Sequence, residues 1–304
     1  MHIAIIGGGS VGSVFAALLN DVAPVSLLVR RPEHALMVAQ RGIRLDRQGS
    51  LTTHHPNAFA DPRVLADADL VIVLTKTYDT EAAARLIVEN ARRDALVLSV
   101  QNGVGSLDIL QDICGDGRVI GGTTSIGCRK LDDQSVEVAH LGRVVVGELA
   151  DHDNARCIDV TDRIGRAGFD AEVSDDVRSD IWTKLAFSVA QNALSALTNR
   201  SFGELRKEAS ALEIARSLLS EMQLVAAAEG VTLRTEPFER LKHNWEKMPA
   251  FRPSMWQDLR SGRRTEIDAI NGAIVRLAGH HGIAAPANEL MTRLVKVAEA
   301  AGDT

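Results

Sequence analysis

The sequence predicts an α/β chain in which a doubly wound, mostly parallel sheet over residues 1–174 is followed by an all-helical domain over residues 175–304. Three observations carry this. An apolar run, Ile3-Ala4-Ile5-Ile6, leads into the turn Gly7-Gly8-Gly9-Ser10-Val11-Gly12 and then into a helix-compatible apolar stretch, residues 11–19. Short apolar runs recur at 25–29, 69–75 and 96–100, each closed by polar or turn residues, which is how strands buried on both faces read. Beyond Ser174 the apolar spacing is almost entirely helical, with no repeat, low-complexity tract or long linker.

The 304 residues suit two domains of roughly 100–200 residues each. With 45% hydrophobic and 24% charged residues, the composition argues against disorder, and no apolar run reaches membrane-spanning length. The first residues are themselves the opening strand and leave no room for a signal peptide, so a cytoplasmic chain without a membrane partner is expected. A net charge of -6 argues against a nucleic-acid partner, because duplex binding uses a basic face to replace counterions. Cys114, Cys128 and Cys157 are odd in number and lack a Cys-x-x-Cys pair, which fits reduced thiols better than disulfides or zinc. The nine histidines contain no His-Glu-x-x-His, and the adjacent pairs His54-His55 and His280-His281 cannot share a helix face, so no metal is expected.

The opening turn has the form of a dinucleotide-binding site. Gly7 permits the tight turn, Gly9 lets the backbone approach a pyrophosphate, and Gly12 lets the helix pack closely, with Gly8, Ser10 and Val11 completing the loop. The phosphates then meet free N–H groups at the positive end of the helix. The second strand, 25–29, ends in Arg30-Arg31-Pro32 instead of an acid for the ribose 2'-hydroxyl, which favours NADP(H) over NAD(H). Lys76 closes the strand at 69–75, and Gln101-Asn102-Gly103-Val104-Gly105 closes the one at 96–100. Ligands bind beyond the carboxyl ends of such strands, so Lys76 and Asn102 are expected near the nicotinamide half of the cofactor or the substrate.

Residues 118–148 are strand-rich and broken by glycines and Asp132-Asp133, with Val144-Val145-Val146 the last clear strand; they are expected to extend the sheet. A helix at 154–168 and a strand at 171–173 complete the first domain. In the second, the helix at 176–199 carries Lys184, Ser188, Gln191, Asn192, Ser195 and Asn199 along one face. Between Trp182 and Asn199 the only charge is Lys184, so this reads as a buried helix whose polar stripe faces a wet cleft. A partly buried lysine is costly unless paired or used, and its pKa is easily moved. Helices at 206–229 and 235–247 read as scaffold. Ser254-Met255-Trp256-Gln257-Asp258 begins a helical turn, Thr265-Glu266-Ile267-Asp268 opens a helix to about His281, and Pro286 starts the last one. Ser254 with Gln257, and Thr265 with Asp268, fit capping boxes, while Glu266 in the first turn suits the helix dipole.

The set formed by residues 7–12, Lys76, Asn102-Gly103-Val104-Gly105, Gly121-Gly122-Thr123-Thr124, Trp182-Thr183-Lys184-Leu185, Asn192, Ser254-Met255-x-Gln257-Asp258 and Thr265-Glu266-Ile267-Asp268-x-x-Asn271-Gly272 resembles the ketopantoate reductase family over nearly the whole chain. The resemblance implies a Rossmann-type N-terminal domain, a helical C-terminal domain, and NADPH-dependent reduction of a small-molecule 2-oxo acid to a 2-hydroxy acid in the cleft between them. Ketopantoate (2-dehydropantoate) is then the default substrate and pantothenate biosynthesis the setting. Lys184 takes the general-acid position, Asn102 and Lys76 match cofactor and active-site contacts, Asn192 and Ser254 match substrate contacts, and Glu266 matches an acid that meets the substrate or orients the lysine.

The chain departs from the pattern at Ser188, where a substrate-facing asparagine is expected, and at Phe202 and Phe251, where some members carry asparagine. If the phenylalanines line the pocket, the favoured 2-oxo acid is less polar at its far end than ketopantoate; if they are core, preference is unchanged. Two other functions compete. The 3-hydroxyacid dehydrogenases pair a Rossmann turn with a helix lysine, but approach it through glycines, whereas Arg178-Ser179-Asp180-Ile181-Trp182-Thr183 has none. A non-enzymatic NADP(H) sensor would have no need of Lys184. A homodimer stays open.

Overall fold

The computed structural model describes residues 1–150 and 154–302. Its contacts divide the chain into two compact units, Met1–Gln101 with Ser106–Val177, and Asn102–Gly105 with the chain from Arg178 onward. The division runs just after Val177, three residues beyond Ser174, and gives the loop 102–105 to the helical unit.

In chain order the first unit has strands β1 (Ile3–Ile6), β2 (Val25–Leu28), β3 (Ile43–Arg47), β4 (Ser50–His54), β5 (Asn57–Phe59), β6 (Leu70–Val73), β7 (Leu96–Ser99), β8 (Val119–Thr124), β9 (Gly127–Lys130), β10 (Ser135–His140), β11 (Arg143–Gly147) and β12 (Asp170–Val173). Its helices are α1 (Ser10–Leu19), α2 (Pro32–Arg41), α3 (Thr80–Asn90), α4 (Ser106–Cys114) and α5 (Ala155–Arg166). Eight strands form one sheet in the order β12-β11-β8-β7-β6-β1-β2-β5, parallel except where β11 runs against β8.

Successive side chains of β1 point to opposite faces. Ile3 and Ile5 join the cluster under α1, α2 and α5, while Ala4 and Ile6 join the one under α3 and α4. Both faces are covered, so the strands read as nearly continuous apolar runs, with the buried Ser26 of β2 and Ser99 of β7 as exceptions. From β1 the chain builds outward through β2 to β5, then returns to the other flank of β1 with β6, β7 and β8. This reversal at β1 is the switch point at which open α/β sheets bind ligands, and Gly7 sits at its carboxyl end.

Residues 118–148 behave differently from expectation in part. β8 and β11 extend the main sheet, but β9 and β10 pair with β3 and β4 in a second sheet ordered β4-β3-β10-β9. β10 lies parallel to β3, with Ser135 opposite Arg44, and antiparallel to β9. β8 is buried throughout and β11 everywhere but Arg143, as a sandwiched layer requires, whereas β9 and β10 keep exposed positions.

The helical unit contains α6 (Val177–Thr198, its first residue still in the first unit), α7 (Phe202–Leu205), α8 (Ala209–Ala228), α9 (Pro237–Lys247), α10 (Ser254–Arg260), α11 (Asn271–His280) and α12 (Pro286–Gly302). Its core gathers Trp182, Leu185 and Val189 of α6 with Phe202, Leu218, Trp245, Met255 and Ile274. The helix expected from Thr265 is not continuous: a 3-10 turn, Ile267–Ala269, breaks at Ile270 (φ -107°, ψ -97°) before α11. Nor is Thr265 with Asp268 a capping box. The Thr265 N–H donates to Glu299 Oε1 at 2.6 Å, its hydroxyl accepts from Ile267 N–H, and exposed Asp268 pairs with Lys296 at 2.6 Å. Partners on α12 outcompete the local cap. Ser254 likewise is the first residue of α10, with Pro253 at the cap.

Candidate active site

The glycine turn has the shape a bound diphosphate needs. Gly7 adopts φ +118°, where a Cβ would stand 2.7 Å from the Leu74 carbonyl oxygen. Gly12 packs so tightly that a Cβ would come within 1.8 Å of the Gly7 carbonyl oxygen, and a Cβ on Gly8 would strike Val29 and His34. At Gly9 nothing lies within 4 Å. Three glycines therefore close the turn, while the fourth leaves bare backbone at the start of the ten-residue α1, and this open, N–H-lined surface fits a phosphate chain. Val11 is half-buried against the core under α1. The Ser10 hydroxyl accepts from Lys130 N–H at 3.0 Å, so Ser10 also holds the β9–β10 hairpin.

Arg30 and Arg31 are exposed beyond β2. The strand end itself carries no acid, but folding supplies one: Arg31 Nη2 donates to Asp133 Oδ2 at 2.6 Å, from the turn between β9 and β10. Lys130 of the same hairpin reaches Asp133 Oδ1 at 3.2 Å and donates to the Gly8 carbonyl at 3.0 Å. Residues 130 and 133 lie about a hundred positions from Arg31, and no local pattern marks them.

Lys76 follows β6 and precedes a 3-10 turn, Thr77–Asp79. Gln101, which no sequence pattern marks, ties the ends of β6 and β7 together: its Nε2 donates to the Thr75 carbonyl and to the Thr75 and Thr80 hydroxyls at 3.0–3.2 Å.

In the helical unit three expected site residues form one hydrogen-bonded chain. Lys184 Nζ donates to Asn102 Oδ1, and Asn102 Nδ2 donates to Glu266 Oε2 at 3.2 Å. Asn102 is delivered there by its loop. Gly103 adopts φ +76° with its α-carbon so close to Ala269 that a Cβ would lie 2.2 Å from the Ala269 carbonyl oxygen, which accepts from Val104 N–H at 3.1 Å. Ala269 belongs to the 3-10 turn that Glu266 caps, so one contact fixes the distance between Asn102 and Glu266. Asn271, fully buried, donates to the Val189 carbonyl of α6 and to Asn288 Oδ1, both at 3.0 Å, and so ties α11 to the helix that bears Lys184.

Burial pushes the Lys184 ammonium down to about 8, and the negative charge of Glu266 works in the opposite direction. An amine titrating there is largely protonated at neutral pH yet gives up its proton readily, which suits a general acid.

The polar stripe of α6 divides. Gln191 accepts from Trp245 Nε1 at 2.9 Å, Ser195 donates to the Arg200 carbonyl at 2.6 Å, and Asn199, at φ +57°, accepts from Trp256 Nε1 at 2.8 Å. These three are structural; Lys184, Ser188 and Asn192 remain for a site, the last two buried. Ser254 is half-buried at the start of α10. Phe202 is core, 1% exposed, with its ring 5.3 Å from that of Phe251 and 6.3 Å from that of Trp245. The pocket role considered for Phe202 therefore fails, while Phe251 packs on it half-buried. The cysteines are free; burial pushes the Cys128 and Cys157 thiols up to about 12, out of nucleophile range. Among the described residues no cluster of histidine, cysteine and acids could hold a metal, and no helix is long and apolar enough to cross a membrane.

Comparison with known proteins places the chain in a family. Residues 3–151 match the model of the ketopantoate reductase PanE/ApbA family, and residues 176–299 match its C-terminal model. The 2-dehydropantoate 2-reductases of Halobacterium salinarum and Pyrococcus horikoshii are each 31% identical, over 99% of this chain and 99–100% of theirs. A PanE/ApbA family ketopantoate reductase from Ralstonia eutropha superposes over the full length of both chains with TM-score 0.91 at 32% identity. A D-mandelate dehydrogenase solved with NADH and anilino(oxo)acetate does so with TM-score 0.92 at 26% identity. Matched in both halves by the family models and end to end by curated reductases, the chain belongs to the ketopantoate reductase family of oxidoreductases.

Proposed function

We propose that this chain reduces a 2-oxo acid to the 2-hydroxy acid with NADPH, that 2-dehydropantoate is the leading substrate, and that Lys184 is the general acid. The observation that carries the proposal is the chain Lys184–Asn102–Glu266, built around a lysine whose pKa burial brings to about 8.

The first unit holds the cofactor. Residues 7–12 offer backbone N–H groups to the diphosphate, Arg30 and Arg31 offer guanidiniums to a 2'-phosphate, and Lys76 serves the nicotinamide end. When bound, the nicotinamide supplies the hydride. Lys184 Nζ carries three protons and spends one on Asn102, so another is free to hydrogen-bond the substrate's carbonyl oxygen and then to move onto it as alkoxide charge develops. Asn102 fixes the direction of the amine. Glu266 holds Asn102 and raises the affinity of the amine for its proton, which keeps the acid loaded at neutral pH. Ser188, Asn192 and Ser254 are the candidates to hold the rest of the substrate.

A bulkier 2-oxo acid is the second reading. It is favoured by Ser188, whose short side chain leaves room where an asparagine would reach, and by the D-mandelate dehydrogenase likeness. NADPH and NADH oxidation, followed at the nicotinamide absorbance with 2-dehydropantoate, phenylglyoxylate and short aliphatic 2-oxo acids, separates the readings. The highest kcat/KM is expected for NADPH with 2-dehydropantoate. Turnover with none of the acids would end the proposal.

A further inference from the structure

We propose that Asp133, on the β9–β10 turn, is a cofactor-specificity residue: its carboxylate competes with the cofactor's 2'-phosphate for Arg31 and so holds down the chain's preference for NADP(H) over NAD(H). This rests on the reading that the adenosine ribose is recognised at the end of β2.

Arg31 is one of the two guanidiniums at the end of β2, and Asp133 Oδ2 already accepts from its Nη2 at 2.6 Å. A guanidinium recognises phosphate best through two parallel N–H donors, and one donor is here turned to a carboxylate. The hairpin is not a passing neighbour, since Lys130 N–H donates to Ser10 and Lys130 Nζ to the Gly8 carbonyl, which anchors Asp133 beside the glycine turn. Whatever anion Arg31 binds thus meets a fixed negative charge within about one guanidinium width. Asp133 also orients Arg31, but the arginine is 56% exposed, and a pair so exposed gains little from being held. Repulsion between the carboxylate and a dianion about 5 Å away is the larger effect, on the order of ten-fold in affinity even at the dielectric of water. Lys130, bonded to Asp133 Oδ1 at 3.2 Å, stays tied to Gly8 when the acid is removed and then adds its charge to the attraction.

The test is calorimetric binding of adenosine 2',5'-bisphosphate and of adenosine 5'-monophosphate, which differ only in the 2'-phosphate, to the full-length chain and to Asp133→Asn, Asp133→Ala and Asp133→Glu. Both neutral variants should bind the bisphosphate about ten-fold more tightly, with the monophosphate changed less than two-fold, and Asp133→Glu should stay near wild type. Bisphosphate affinity that is unchanged or weaker in the folded neutral variants, or equal tightening of both ligands, would overturn the proposal. Arg31→Ala separates this from the underlying reading. If wild type prefers the bisphosphate and loses that preference in Arg31→Ala while the Asp133 variants change nothing, only the role of Asp133 fails. If neither wild type nor the neutral Asp133 variants prefer the bisphosphate, both fail.

Discussion

Replacing Glu266 by glutamine should lower the pH at which reduction fails. Glutamine keeps an oxygen for Asn102 Nδ2 but removes the charge that opposes the burial of Lys184. Two hydrogen bonds and one amide separate the carboxylate from the ammonium, which puts the charges about 6 Å apart. At an effective dielectric of about 20–40, their attraction is roughly 1.5–3 kcal/mol, or one to two pH units of amine affinity for its proton. Reduction needs the ammonium, so wild-type kcat/KM should fall as pH rises through about 8, and the variant's limb should move one to two units lower. The same displacement acts on stability. A lysine ordinarily near 10.5 binds its proton more tightly unfolded than folded, so its burial penalty is in full force below about 8 and is relieved as pH rises from about 8 to 10.5. The assay is kcat/KM for reduction from pH 5.5 to 10 at saturating NADPH. A variant limb at or above the wild-type position would refute the coupling, whatever the loss of rate.

The glycines should separate by role. Gly12→Ala, whose methyl would overlap the Gly7 carbonyl, should lose about 1–3 kcal/mol or more in urea unfolding, whereas Gly9→Ala, at φ -74° with nothing within 4 Å, should keep its stability within about 0.5 kcal/mol and yet bind NADPH more weakly by fluorescence titration. Asn271→Ala removes the donor from two buried acceptors, Val189 O and Asn288 Oδ1, and should cost about 2–4 kcal/mol in thermal or urea unfolding. Phe251→Asn should lower the melting temperature, because the ring packs on Phe202, while leaving the ranking of 2-oxo acids unchanged.

Much of the first unit was legible because its sheet is buried on both faces. β1 and β6 are apolar throughout, β2 and β7 all but a single buried serine each, Ser26 and Ser99, and the glycine turn had to follow β1 directly. The second sheet was not legible. β4 exposes nearly every side chain and so lacks the periodicity that burial imposes, and β10, although Val136 and Val138 alternate with Glu137, is placed by pairing with β3 about ninety residues earlier, which no local pattern registers. The helix starting at Thr265 was misread for a related reason: Thr-x-x-Asp satisfies a local rule, but Glu299 and Lys296 on α12 offer partners that sequence spacing cannot register. In the site, Lys184 stood out because nothing else on its stretch of α6 is charged, Asn102 stood out by its place beyond the carboxyl end of a buried strand, and Glu266 came from the family pattern. Asp133 and Lys130 gave no signal, since their meaning depends wholly on which turn folding sets beside Arg31.

The most direct test of Lys184 as proton donor is a single turnover of the NADPH-loaded chain with 2-dehydropantoate, wild type against Lys184→Ala, by stopped-flow absorbance with cofactor binding measured separately by fluorescence. The variant should bind NADPH with nearly wild-type affinity and transfer hydride roughly 10²-fold more slowly or worse. A Lys184→Ala chain that binds NADPH and turns over at close to the wild-type rate would contradict the assignment and leave the lysine a structural role.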